Sequence, residues 1–135
     1  MNVKLGTEEI RSVSVFVKVT GIQPKDCLIT DATLFFVLDP KAMFLAIGKN
    51  GENIKRLRKT FGKNVKLFAK YGTAEETIKG MIPNIKALKI SEDVAVASIP
   101  IEDKSKVIGR NGGNIKAMKE VLMRHFAVKD LKIRV

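Results

Sequence analysis

Hydrophobic positions along the chain switch period several times, and the switches mark the elements. Thr33 to Leu38 (Thr-Leu-Phe-Phe-Val-Leu) and Val94 to Ile99 are strand-like runs, ended by Asp39-Pro40 and by Pro100. Lys41 to Ile47 and Asp103 to Ile108 follow as short helical segments, each stopping at a glycine, Gly48 or Gly109, where a helix end commonly needs a left-handed residue. Beyond a tight turn, Ile54, Leu57 and Phe61 recur at i, i+3, i+7, as do Ile115, Met118 and Leu122, with Lys55, Arg56 and Lys59 on the opposite face of the first set. These spacings predict amphipathic helices, closed by strands over Val65 to Phe68 and Leu131 to Val135.

Upstream of the second strand-like run, Thr73 to Met81 reads as a helix with Thr73 as N-cap and Glu76 in the capping-box position, and Ile85 to Ile90 as a strand. The corresponding stretch near the start is ambiguous. Ile10, Val13 and Val17 fit a helix, whereas Val13, Val15, Val17 and Val19 alternate as a strand would.

An internal repeat resolves the ambiguity. Ile47-Gly48-Lys49-Asn50-Gly51-Glu52-Asn53-Ile54-Lys55 aligns without gaps on Ile108-Gly109-Arg110-Asn111-Gly112-Gly113-Asn114-Ile115-Lys116, 61 residues later, with seven of nine positions identical. The chain therefore reads as a tandem duplication. The first copy takes the helix of the second, with Cys27 to Ile29 as its following strand. A boundary near Tyr71-Gly72 predicts two domains, 1–71 and 72–135, of the smallest size that holds a core.

Charge follows the repeat. The chain carries 25 Lys and Arg against 14 Asp and Glu, a net +11 that favours a polyanionic partner. The surplus is not uniform: residues 46–70 hold eight basic residues and one acidic, and residues 103–135 hold nine and three. Residues 1–45 balance at five and five, and 71–102 lean acidic at three and five. A mixed-sign surface would not separate into blocks that each open with a copy of the motif.

Other chemistries find little support. The single cysteine, Cys27, and the single histidine, His125, leave no intramolecular disulfide and too few soft ligands for zinc, so neither metal nor cofactor is expected. No GxxxxGK[ST], HExxH or GxSxG motif occurs, and Cys27 has no base partner nearby in sequence, which predicts a protein that is not an enzyme. No apolar run approaches the roughly 20 residues that cross a bilayer, and Met1 to Arg11 lacks a signal-sequence pattern, so a cytoplasmic protein without a membrane partner is expected. Phe35, Phe36 and Phe44 are expected to pack in the core rather than form a base-stacking platform.

The repeated Gly-x-x-Gly turn suits one task. The second helix begins with unpaired N–H groups and the positive end of its dipole, which together attract a phosphate. Glycine on both sides lets a sugar-phosphate backbone approach, and the cation between them, Lys49 or Arg110, adds attraction that salt would weaken.

Ile-Gly-x-x-Gly-x-x-Ile, present in full twice, resembles the signature of the KH domain, which handles about four nucleotides across its GXXG loop. The order helix, strand, strand, helix, GXXG, helix, strand is similar to the type II arrangement. The resemblance implies an α+β fold of two tandem type II KH domains, each α-β-β-α-α-β with a three-stranded sheet covered by helices on one face. Tandem modules of this length, with Leu45 to Leu57 in the first and Ile108 to Ile115 in the second, resemble the archaeal NusA-like transcription factors. That family implies single-stranded RNA as the partner, in transcription elongation, termination or antitermination, with RNA polymerase or its transcription complex as a further partner. The bacterial relatives of that family carry an amino-terminal polymerase-binding domain and an OB-type barrel, and neither is expected within these 135 residues.

Position by position, the resemblance puts the backbone clamp at Gly48, Lys49, Asn50 and Gly51 and at Gly109, Arg110, Asn111 and Gly112. Asn53, Lys55, Arg56, Asn114 and Lys116 lie in the helical turns after the loops, within reach of phosphates or base edges, or form a solvated face. Asn50 and Asn111 fit a turn role as well as contact. Ile47, Ile54, Ile108 and Ile115 would line the groove, although the i, i+3, i+7 partners of Ile54 and Ile115 favour core packing. Binding of duplex or single-stranded DNA and a protein-interaction scaffold, including one on the ribosome or in RNA processing, are the alternatives that the charge and the repeat leave open.

Overall fold

The computed structural model of the chain describes residues 5–135. Residues 1–4, where the first expected domain and the Met1 to Arg11 segment begin, lie outside the described residues. The described residues form two compact units that divide between Lys70 and Tyr71.

The first unit runs α1 (Thr7–Thr20), β1 (Asp26–Ile29), β2 (Thr33–Leu38), α2 (Met43–Ile47), α3 (Glu52–Phe61) and β3 (Asn64–Ala69). Its valine-rich first segment is helical. Glu8 and Glu9 complement the dipole in the first turn, and Gly21 closes the helix at φ 73°, its N–H donating to the Val17 carbonyl. The buried stripe is centred on Ser12 and Phe16, with Val13 and Val19 flanking it, so Ile10 is left 56% exposed. Ser12 and Thr20 satisfy their hydroxyls on the carbonyls of Glu8 and Phe16, at 2.9 and 2.8 Å.

Sheet order is β1-β2-β3, with β1 antiparallel and β3 parallel to the central strand. The parallel pair requires a crossover, and α2 and α3 supply it. Alternation sends Leu34, Phe36 and Leu38 to the helical side, where they join Phe16, Cys27, Ala46, Leu57 and Val65 in one core. Phe36 is its centre: its ring stacks on Phe16 at 4.3 Å and tilts against Phe61 at 6.0 Å. Phe35 points to the other side of the strand and stacks on Phe68 at 5.3 Å.

The second unit repeats the order: α4 (Ala74–Met81), β4 (Ala87–Ser91), β5 (Val94–Ser98), α5 (Lys104–Ile108), α6 (Gly113–Phe126) and β6 (Asp130–Arg134). Strand order β4-β5-β6 and the antiparallel-then-parallel pairing are the same. Thr73 caps α4: its hydroxyl accepts from the Glu76 N–H at 3.2 Å and donates to the Glu76 carboxylate at 3.1 Å. Ala95, Ala97 and Leu131 from the strands are buried with Ile78, Val107, Met118, Val121 and Leu122 from the helices.

Each unit is thus α-β-β-α-α-β, as expected, and the differences lie at element edges. A single 3₁₀ turn, Pro40–Ala42 or Ile101–Asp103, precedes α2 and α5 and takes the first residues assigned to those helices. Proline at the start of the first fixes φ where the helix has no use for an N–H, and the Asp39 carboxylate accepts from the Lys41 N–H at 2.9 Å. The strand expected from Ile85 begins at Ala87.

Candidate nucleic-acid interface

The two GXXG loops adopt one conformation. Gly48 (φ 81°, ψ 166°) and Gly109 (φ 78°, ψ 173°) lie in a backbone region that is essentially closed to side-chain-bearing residues. The second glycines, Gly51 and Gly112, are left-handed at φ 72°. So are the asparagines before them, Asn50 at φ 56° and Asn111 at φ 54°. Each loop is tied twice: the Gly48 N–H donates to the Phe44 carbonyl at 3.1 Å and the Gly51 N–H to the Gly48 carbonyl at 3.1 Å. In the second loop the corresponding bonds, Gly109 to Ser105 and Gly112 to Gly109, measure 2.9 and 3.1 Å.

The first glycine also admits a close neighbour. A Cβ on Gly48 would lie 2.9 Å from the Asn53 side chain and 3.0 Å from its backbone nitrogen; on Gly109 it would lie 2.5 Å from Asn114 Cβ and 2.8 Å from its nitrogen. That closeness brings the asparagine onto the end of the preceding helix. Asn53 Nδ2 donates to the Leu45 carbonyl at 3.2 Å, and Asn114 Nδ2 to the Val107 carbonyl at 2.9 Å and the Lys106 carbonyl at 3.4 Å. Both amides satisfy carbonyls that a helix C-terminus leaves unpaired.

At the opposite side of the turn the reverse holds. Gly51 and Gly112 stand at the N-caps of α3 and α6, and no side chain caps either helix. The Glu52 N–H donates to the Lys49 carbonyl and the Gly113 N–H to the Arg110 carbonyl, so what each helix start holds out to an outside anion is the positive end of its dipole. Lys49, Asn50, Lys55 and Arg56 around the first loop, and Arg110, Asn111 and Lys116 around the second, are exposed. None of these five cations forms an ion pair among the described residues. The arrangement offers an anion the positive end of a helix dipole and unpaired positive charge.

The expected groove residues divide. Ile54 packs partly buried against the core and Ile115 is half-buried, while Ile108 is half-buried and Ile47 stays 38% exposed. Ile54 and Ile115 therefore sit at the edge between core and surface.

The KH domain family matches residues 9–71. A probable transcription termination protein NusA of Halobacterium salinarum is 30% identical over 138 residues, covering 98% of this chain and 99% of that protein. The chain belongs to the archaeal NusA-like family of KH-domain proteins. A second relative of the same description, from Methanococcus vannielii, is 33% identical over 143 residues, covering 98% of this chain and 80% of its own length. The crystal structure of APE1850 superposes with a TM-score of 0.75 at 29% identity, covering 96% of this chain and all of that one.

Four residues of this NusA-like chain depart from their expected places or have surroundings that spacing does not signal. Phe44, expected in the core with Phe35 and Phe36, is 81% exposed, and its neighbour Leu45 is 64% exposed. Helix α2 has five residues and buries only Ala46, so a residue two positions earlier falls on its opposite face. Arg58 carries no signal in the spacing of the motif, yet its guanidinium donates from Nη2 to the Val65 carbonyl at 3.2 Å and so belongs to the scaffold of α3 and β3. Burial, with the nearby Arg58 charge, pushes the Lys66 ammonium below its usual pKa. No group of three or more His, Cys, Asp or Glu among the described residues could hold a metal, and none of their helices is long and apolar enough to cross a membrane.

Proposed function

We propose that the chain binds single-stranded RNA through its two GXXG loops and acts, as the relatives' description states of them, in transcription termination, within the wider task of elongation control. One observation supports this most: the same uncapped, glycine-flanked helix N-terminus occurs twice, each time with unpaired cations beside it. In this reading Gly48 to Gly51 and Gly109 to Gly112 hold the sugar-phosphate backbone, their glycines admitting it closely and the following helix dipole attracting its phosphates. Lys49, Lys55, Arg56, Arg110 and Lys116 add charge, Asn50 and Asn111 offer side chains from left-handed turns, and Ile47, Ile54, Ile108 and Ile115 line the path of the bases. Asn53 and Asn114 shape the loops. Residues 1–71 and 72–135 each constitute one KH domain. The protein works without catalysis, in the cytoplasm, alongside RNA polymerase or its transcription complex.

The test is a quadruple variant, Lys49→Asp, Asn50→Asp, Arg110→Asp and Asn111→Asp. Aspartate tolerates the left-handed conformation of asparagine, so the fold survives while the loops turn anionic. RNA binding is expected to vanish, with thermal unfolding nearly unchanged. Binding retained at the wild-type level would refute the mechanism. Matched RNA and DNA oligonucleotides separate the nucleic acids: equal or tighter DNA binding would replace RNA as the ligand.

A further inference from the structure

The first module carries an exposed apolar group beside its loop that the second lacks. Phe44 is 81% exposed, Leu45 64% and Ile47 38%, although each belongs to α2, which ends at the loop. The positions 61 residues later are Ser105, Lys106 and Ile108, so the aromatic and aliphatic pair of one module is a hydroxyl and an ammonium in the other. A phenylalanine this exposed stacks on no other ring among the described residues. Its place is set by the helix. The Gly48 N–H bonds back to the Phe44 carbonyl at 3.1 Å, and residues 44 and 47 share one face of α2 by their i, i+3 spacing. The ring therefore stands one helical turn before the first glycine of the loop, on the face that carries Ile47.

We infer that Phe44 is a base-stacking residue: it takes the face of an unstacked nucleobase in an RNA strand held by the adjacent loop, with Ile47 continuing the apolar surface toward the glycine. This rests on the loops binding RNA as proposed above. An extended nucleotide chain fixed by its phosphates at Gly48 to Gly51 presents bases within a few ångströms of the clamp, and any base has a π-face that an exposed ring can cover. The two modules then divide the work. The first adds stacking to backbone capture, while the second, with Lys106 in place of Leu45, adds charge.

The chain has no tryptophan, so Phe44→Trp installs a single reporter at the site. With adenylate and uridylate RNA 12-mers as probes, the indole fluorescence of this variant is expected to quench on binding, more with adenylate than uridylate. Phe44→Ala should weaken adenylate binding by roughly five- to 150-fold, the range for loss of one aromatic–base stack. Phe44→Leu should fail to restore it, whereas Phe44→Tyr should. Because the ring is exposed, unfolding temperatures are expected to stay within a degree or two of wild type. Wild-type RNA affinity in Phe44→Ala, with the quadruple loop variant inactive, would overturn the stacking role alone and leave the patch to a protein partner. Loss of binding in neither variant would overturn the loop mechanism as well. Full rescue by Phe44→Leu would show that apolar contact, not stacking, is what the position supplies.

Discussion

At the scale of single residues, the loops distinguish two demands placed on glycine. Gly112 needs only a left-handed backbone: a Cβ there meets nothing nearer than the Lys116 side chain at 3.8 Å. Gly109 needs both a backbone conformation foreign to other residues and space against Asn114. Gly112→Ala is therefore expected to cost about 1 kcal/mol, the usual left-handed penalty for an L-residue. Gly109→Ala should cost at least about 2 kcal/mol more, since strain of about 1–3 kcal/mol combines with a contact to backbone that cannot move aside. Denaturant unfolding of the two variants measures the difference, and equal losses would mean that the loop relaxes freely. The motif's glycines were legible in the sequence because their spacing repeats. Their unequal burdens were not, because steric closeness to Asn114 depends on a neighbour's position that spacing does not encode. Phe44 was hidden for a related reason. Hydrophobicity says that a phenylalanine prefers burial, but a helix of barely more than one turn has a single buried position, and Ala46 occupies it.

At the scale of elements, repetition carried more information than local propensity. The valine alternation over residues 13–19 suits a strand on its own, and the helix prevails because Phe16 finds Phe36 beneath it and Gly21 ends the segment. The 3₁₀ turns ahead of α2 and α5 are not legible in the sequence, since a proline signals a start without distinguishing a 3₁₀ from an α turn. The junction between helices is also where Asn53 and Asn114 change meaning. As members of a solvated face their replacement would shift stability by no more than about 0.5 kcal/mol. With their amides on the carbonyls of Leu45 and Val107, truncation removes a hydrogen bond between consecutive helices. Asn114→Ala is expected to lose about 1 kcal/mol. Asn114→Asp, which sets a carboxylate oxygen against those carbonyls, should lose more. Both should raise hydrogen exchange at the Gly109 and Gly112 amides. If the two variants unfold with wild-type midpoints, the side chain does not hold the loop.

At the scale of the whole molecule, the question is whether +11 acts as a diffuse field or through particular sites. The separation of charge along the sequence favours sites: the loop-bearing segments hold the surplus, and Lys49, Lys55, Arg56, Arg110 and Lys116 stand unpaired there. Other cations of the chain lie elsewhere. Lys132 and Arg134 occur at alternate positions of β6, and Lys89 pairs across β5 with Val96, the partner of Lys132, so the three share one face of the second sheet. Single-stranded RNA releases about 0.7 counterion per phosphate neutralised, so five engaged cations predict a slope of about −3.5 in log affinity against log salt. Replacing Lys49, Lys55 and Arg56 by glutamine should flatten the slope by about 2, and replacing Arg110 and Lys116 by about 1.4. Glutamine at Lys89, Lys132 and Arg134 removes as much charge as the first set, yet should leave the slope nearly unchanged. Salt titrations of the three variants on one oligonucleotide decide the matter. Equal flattening by the sheet and the first-loop sets would mean that net charge, not loop geometry, governs binding.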